Sequence, residues 1–92
     1  MVPVTLELGG KSPAVITADA NLRVAARRLA NPKFSNCGQM CIAPDYILVP
    51  SDLKDKLIKE LIIAIQSFYG ADAASSEHYG KIINDKQWLR IT

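Results

Sequence analysis

Histidine and tryptophan occur once each and cysteine twice in the 92 residues. With so few ligands a closed tetrahedral zinc site cannot be filled from nearby positions: Cys37 and Cys41 would need two more donors, and His78 lies 37 residues beyond Cys41. Two closely spaced cysteines are also too few for a secreted disulfide framework, so they read as thiols in a reducing, cytoplasmic compartment. Long apolar runs are missing. The longest, Leu61 to Ile65, has five residues, against roughly 20 for a membrane span. Glu7 and Gly9-Gly10 interrupt the amino terminus before a signal-peptide core could form. Nor is there an excess of one charge. The 11 basic and 9 acidic side chains leave +2. They divide as five bases against three acids in residues 1–46 and six against six in residues 47–92. That spread excludes a nucleic-acid footprint.

What is present is a core-forming mixture, 49% hydrophobic and 22% charged, in a chain long enough for one small domain. No repeat or low-complexity tract appears. Val4-Thr5-Leu6-Glu7-Leu8 alternates like a strand and stops at Gly9-Gly10; Ala14–Thr17 reads as a second strand after Pro13. Asp19 or Asn21 caps a helix with Leu22, Ala25, Ala26 and Leu29 on one face, which Pro32 is expected to end. Lys33 to Pro44 reads as a loop, with at most a helical turn, and Tyr46–Val49 as a buried strand. A long helix then follows a Ser51 or Asp52 cap. Its apolar face runs Leu53, Leu57, Leu61, Ile65 and Phe68, with Asp52–Lys56 and Asp55–Lys59 pairs and a Gly70 stop. Another helix starts at Asp85. The fold class is α/β, a βαβα segment with short parallel strands and an incomplete sheet, as if cut from something larger.

Few residues carry chemistry. Gly9-Gly10-Lys11-Ser12 lacks the first glycine of a phosphate loop, since Thr5 stands in its place. The arginines 23, 27 and 28 with Lys33 read as a solvated face, and His78 as a loop residue. Cys41 sits in a loop with backbone N–H groups available to an oxyanion, although taken alone it reads more simply as a structural thiol. Glu7 is a carboxylate in an apolar strand beside two glycines. Burial would raise its pKa and suit it to general-base work; an accessible strand end is the ordinary alternative.

At these residues a family becomes recognisable. Glu7-Leu8-Gly9-Gly10-Lys11-Ser12-Pro13 resembles the glutamate motif of the NAD(P)-dependent aldehyde dehydrogenases, and Phe34-Ser35-Asn36-Cys37-Gly38-Gln39-Met40-Cys41 resembles their cysteine motif. The 34 residues from Glu7 to Cys41 match the family's usual separation. Ala43–Leu48 and Tyr79–Asn84 resemble the class 3, fatty-aldehyde branch. The resemblance implies Cys41 as nucleophile, Glu7 as general base, and the backbone of Leu8 and Gly9 against the nicotinamide of NAD or NADP. It implies an aldehyde as substrate, aliphatic or aromatic, no resident metal, and is compatible with a homo-oligomer. It divides the chain into residues 1–10, the end of the cofactor-domain region, and 11–92, the start of the catalytic domain. The family's asparagine oxyanion donor, its cofactor domain and its ribose-holding glutamate lie outside these motifs, so an isolated chain of this length is expected to be inactive. Pro32, where class 3 relatives usually have glycine, is expected to re-aim the backbone before Cys41. Two other functions remain in view: a non-enzymatic α/β interaction module, and a thiol-redox module using Cys37 and Cys41.

Overall fold

The computed structural model describes residues 1–92, with the elements β1 (Ser12–Val15), α1 (Leu22–Phe34), β2 (Pro44–Leu48), α2 (Lys54–Tyr69) and α3 (Asp85–Ile91). Short 3-10 turns occupy Ser35–Gly38, Ser51–Leu53 and Ala73–Ser75. The two strands pair in parallel. Ser12 stands opposite Pro44 and Pro13 opposite Tyr46, so Asp45 is the extra residue of a bulge, and the ladder continues through Val15 and Leu48. The Ile16 N–H donating to the Leu48 carbonyl at 2.8 Å extends it by one step.

Helix α1 begins where Asn21 accepts from the Val24 N–H at 3.2 Å, satisfying one of the donors a helix start leaves free. Asp19 is engaged elsewhere. It accepts from the Thr17 hydroxyl at 2.6 Å, and that bond lowers its carboxyl pKa. Alanines do the close packing: Ala26 and Ala30 of α1 and Ala64 of α2 are buried with Leu57 and Ile16. Small side chains let the two helices approach, and Ile47 and Val49 from the sheet side pack against the same cluster. Arg27 straps the helix pair from outside. Its guanidinium lies 4.8 Å from the centre of the Phe68 ring and donates to Ser67 Oγ at 3.3 Å.

Several expectations are corrected. Val4–Leu8 forms no strand and is exposed; alternation supplies propensity, but a strand needs a partner, and this segment has none. The sheet therefore has two strands rather than three. The first helix does not stop before Pro32 but runs through it to Phe34. Proline forfeits one N–H bond near the helix end, while buried Ala30 on one side and Phe34, set among Tyr69 and Tyr79, on the other hold the axis by packing. Neither Ser51 nor Asp52 caps α2; both lie in the 3-10 turn ahead of it, and no side chain caps the helix. The Asp52–Lys56 and Asp55–Lys59 pairs do not close, and the ion pair formed is Lys11–Asp45 at 3.8 Å. Gly70 terminates α2 as expected, at φ +78, and Asn84 caps α3 by accepting from the Gln87 N–H.

Candidate active site

Parallel pairing decides where the two motifs go. Both strands start at the same edge, so the chain leading into β1, with Glu7 five residues ahead of Ser12, and the chain leading into β2, with Cys41 three ahead of Pro44, converge there. The convergence is measurable at Gly10: a Cβ on it would lie 3.7 Å from the Cys41 carbonyl oxygen. Glu7 is exposed rather than buried, and its carboxylate accepts from the Gly9 N–H at 3.1 Å, two residues on. Of the two alternatives, burial and accessibility, the structure has the accessible one, although no strand forms around Glu7. No hydrogen bond joins Glu7 to Cys41. Leu8 and Gly9 are exposed beside it.

Gly9 takes φ +104, with open space where a side chain would stand. A bare, left-handed backbone of this kind admits the flat face of another molecule, and these residues therefore fit a nicotinamide ring lying against Leu8 and Gly9.

The cysteine loop has a particular shape. Asn36, Cys37 and Gly38 take φ of 52, 57 and 73 in succession, one left-handed turn directly after α1. Left-handed backbone costs an ordinary L-residue roughly 1–2 kcal/mol, less for asparagine and nothing for glycine, so Cys37 bears most of the strain. The turn reverses the chain. Met40 to Ala43 then forms a second turn, closed by the Ala43 N–H on the Met40 carbonyl at 3.1 Å, with Cys41 inside it. The Cys41 thiol is exposed and free, and its N–H makes no hydrogen bond within the protein. An accessible sulfur with an uncommitted N–H beside it is the arrangement a carbonyl carbon and its developing oxyanion require.

Contacts from far along the chain hold this loop. Gln39 donates through Nε2 to the carbonyls of Asn36 at 2.8 Å and Lys81 at 3.1 Å, and its Oε1 accepts from the Ile83 N–H at 3.1 Å. Gly80 crosses closely, since a Cβ there would stand 3.4 Å from Asn36 Cα. Cys37 points away from solvent toward Tyr79, its Sγ donating to the phenol oxygen at 3.4 Å. That pairing raises the Tyr79 pKa to about 12, with burial and the charges of Cys37 and Tyr69 adding to it. Cys37 and Tyr79 border a cavity of about 320 Å³ that Lys81 and Trp88 also line. Sequence reasoning placed Gln39 in this loop but missed its bonds to Lys81 and Ile83, and it missed Tyr79: these contacts span more than 40 residues, and no local pattern announces them.

The strands, helices and loops thus define an α/β segment that brings an exposed cysteine loop beside the chain leading into β1. The aldehyde dehydrogenase family model matches residues 1–92, and the chain belongs to that family. It is 49% identical, over all of its length, to the 4,4'-diaponeurosporen-aldehyde dehydrogenase of Staphylococcus aureus (strain NCTC 8325 / PS 47), covering 20% of that protein. It is 48% identical over 99% of its length to the dimeric NADP-preferring aldehyde dehydrogenase of Rattus norvegicus, covering 20% of it. The solved substrate-bound state of Staphylococcus aureus AldH superposes with a TM-score of 0.88 at 48% identity, over 98% of this chain and 20% of that one. The chain spans about a fifth of the length of the relatives it matches.

Proposed function

We propose that this chain supplies the nucleophile and the general base of an NAD(P)-dependent oxidation of an aldehyde to a carboxylic acid. The observation that carries the reading is the convergence of the two motifs at one edge of the sheet, Gly10 against the Cys41 carbonyl, in a chain of this family. The Cys41 thiolate adds to the aldehyde carbon and forms a C–S bond, while the Cys41 N–H donates to the oxyanion. Leu8 and Gly9 would hold part of the nicotinamide cofactor, which when bound would supply the acceptor for the hydride that leaves this carbon. The thioester on Cys41 is then attacked by water. Glu7 takes the water proton, the C–S bond breaks, and the acid leaves with the thiolate restored. For Glu7 to act, its carboxylate must exchange the Gly9 N–H for that water.

The same reading assigns residues 1–10 to the end of a cofactor-domain region and 11–92 to the start of a catalytic domain. It places the reaction in the cytoplasm; no helix is long and apolar enough to cross a membrane. The dimeric state in the rat relative's name supports a homo-oligomer here.

The test uses the protein expressed from its complete reading frame, with aldehyde and NAD or NADP, and mass spectrometry of the acylated chain. Label is expected on Cys41 and none in Cys41→Ser. Glu7→Gln should acylate and then accumulate thioester, with hydrolysis slowed roughly 10²- to 10⁴-fold. Acylation of Cys37 instead, or full turnover in Cys41→Ser, would refute the assignment.

A further inference from the structure

We propose that Gln39 is a positioning residue for the Cys41 thiol, a clamp that holds the cysteine loop to the segment Lys81–Ile83. The proposal rests on the reading of Cys41 as nucleophile. Its ground is that all the hydrogen-bonding capacity the Gln39 carboxamide uses goes to backbone groups on two separate stretches of chain. Nε2 donates to the Asn36 carbonyl within the left-handed turn, and also to the Lys81 carbonyl 42 residues on. Oε1 accepts from the Ile83 N–H. The Asn36 side chain returns the bond by donating to the Gln39 carbonyl at 3.4 Å, and the Gln39 N–H donates to the Asn36 carbonyl at 3.2 Å.

The left-handed run from Asn36 to Gly38 is intrinsically unfavourable for Cys37 and needs outside support to persist. Gln39 provides it one residue after the run and two before Cys41. A carboxamide is the side chain that can donate to two carbonyls and accept from one N–H at once; a carboxylate can only accept. Release of the clamp frees the turn to relax and carries Cys41, the next residue but one, away from its place ahead of β2 and beside Gly10.

Two variants separate the halves of the clamp. Gln39→Met keeps the length and removes every bond of the side chain; Gln39→Glu keeps an acceptor for Ile83 and replaces both donations with repulsion from the two carbonyls. The complete protein is assayed for the pre-steady-state burst of reduced cofactor, which reports attack by Cys41, and for hydrogen exchange at the Ile83 amide. Both variants should lose roughly ten- to a hundredfold in burst rate with the KM for aldehyde nearly unchanged. Ile83 exchange should accelerate in Gln39→Met and stay slow in Gln39→Glu, and lowering the pH until the introduced carboxyl takes a proton should restore part of the burst in Gln39→Glu alone. A burst rate in either folded variant within about twofold of the unsubstituted protein overturns the proposal. Should neither variant fold, Ile83 in the unsubstituted protein decides: exchange at the rate of an unstructured peptide overturns the clamp, and slow exchange supports it. Cofactor reduction with no acylation of Cys41 in the unsubstituted protein would sink the nucleophile reading, leaving the exchange data to judge the clamp separately.

Discussion

Tyr79 has an ionisation that its neighbours visibly control. Its hydrogen bond with Cys37, with burial and the charges of Cys37 and Tyr69 adding to it, raises its pKa from 10.0 to about 12. A folded-state pKa above the unfolded value means that the neutral phenol is the form the fold prefers. The contribution to stability is therefore complete below pH 10 and is lost as pH climbs toward 12. Ultraviolet titration of the three tyrosines should show one ionising late, and Cys37→Ala should bring it down. An unchanged late titration in Cys37→Ala would assign the shift to burial. The same pairing separates the two thiols: Cys37 is half-buried and bonded, Cys41 exposed and unbonded. Of the candidate residues, Cys41 and Glu7 were legible from their motifs. Whether Glu7 is buried or accessible stayed open in the sequence, because burial depends on whether the strand around it finds a partner.

Among the elements, the turn Asn36–Gly38 is the most constrained. Gly38 is required there twice over, by its φ of +73 and by the Lys33 carbonyl, which would lie 3.1 Å from an added Cβ. Gly38→Ala is expected to cost about 1–2 kcal/mol, read as a lowered midpoint of thermal or urea unfolding. A midpoint equal to the unsubstituted protein's would show that the turn is not held left-handed. Gly38 and Asn36 are residues that tolerate such backbone, so part of this turn could be seen in the sequence; Cys37 between them gives no such sign. The course of α1 through Pro32 was hidden for a related reason. Local rules count the bond proline loses, whereas Ala30 and Phe34 hold the helix through contacts with α2 and Tyr79.

The whole molecule is loosely covered. Only six of 92 residues are buried and none of the large side chains fully. The radius of gyration is 15.7 Å, against about 12 Å for a compact domain of this length. Val15 and Leu48, paired across the strands, are 66% and 53% exposed on the sheet's outer face, with Tyr46 at 47% beside them. Both sheet edges are unpaired. An isolated polypeptide of residues 1–92 is therefore expected to bind a hydrophobic dye and to self-associate in sedimentation, and Val15→Lys with Leu48→Lys should reduce both. A compact monomer that binds no dye would contradict this view of the sheet.

Periodicity and short-range chemistry determined the long helix, its Gly70 stop, a start of the first helix at Asp19 or Asn21, the parallel α/β class and the two motifs, because each depends on neighbours a few residues apart. The sequence also indicated, through short strands with only two helices to cover both faces and edges left unpaired, that its sheet is incomplete. The meeting of Gly10 with Cys41 awaited strand register, and the grip of Gln39 on Lys81 and Ile83 awaited the return of the chain after α2. Both join segments more than 30 residues apart, and the free energy that closes such contacts comes from packing between helices and sheet rather than from any local preference.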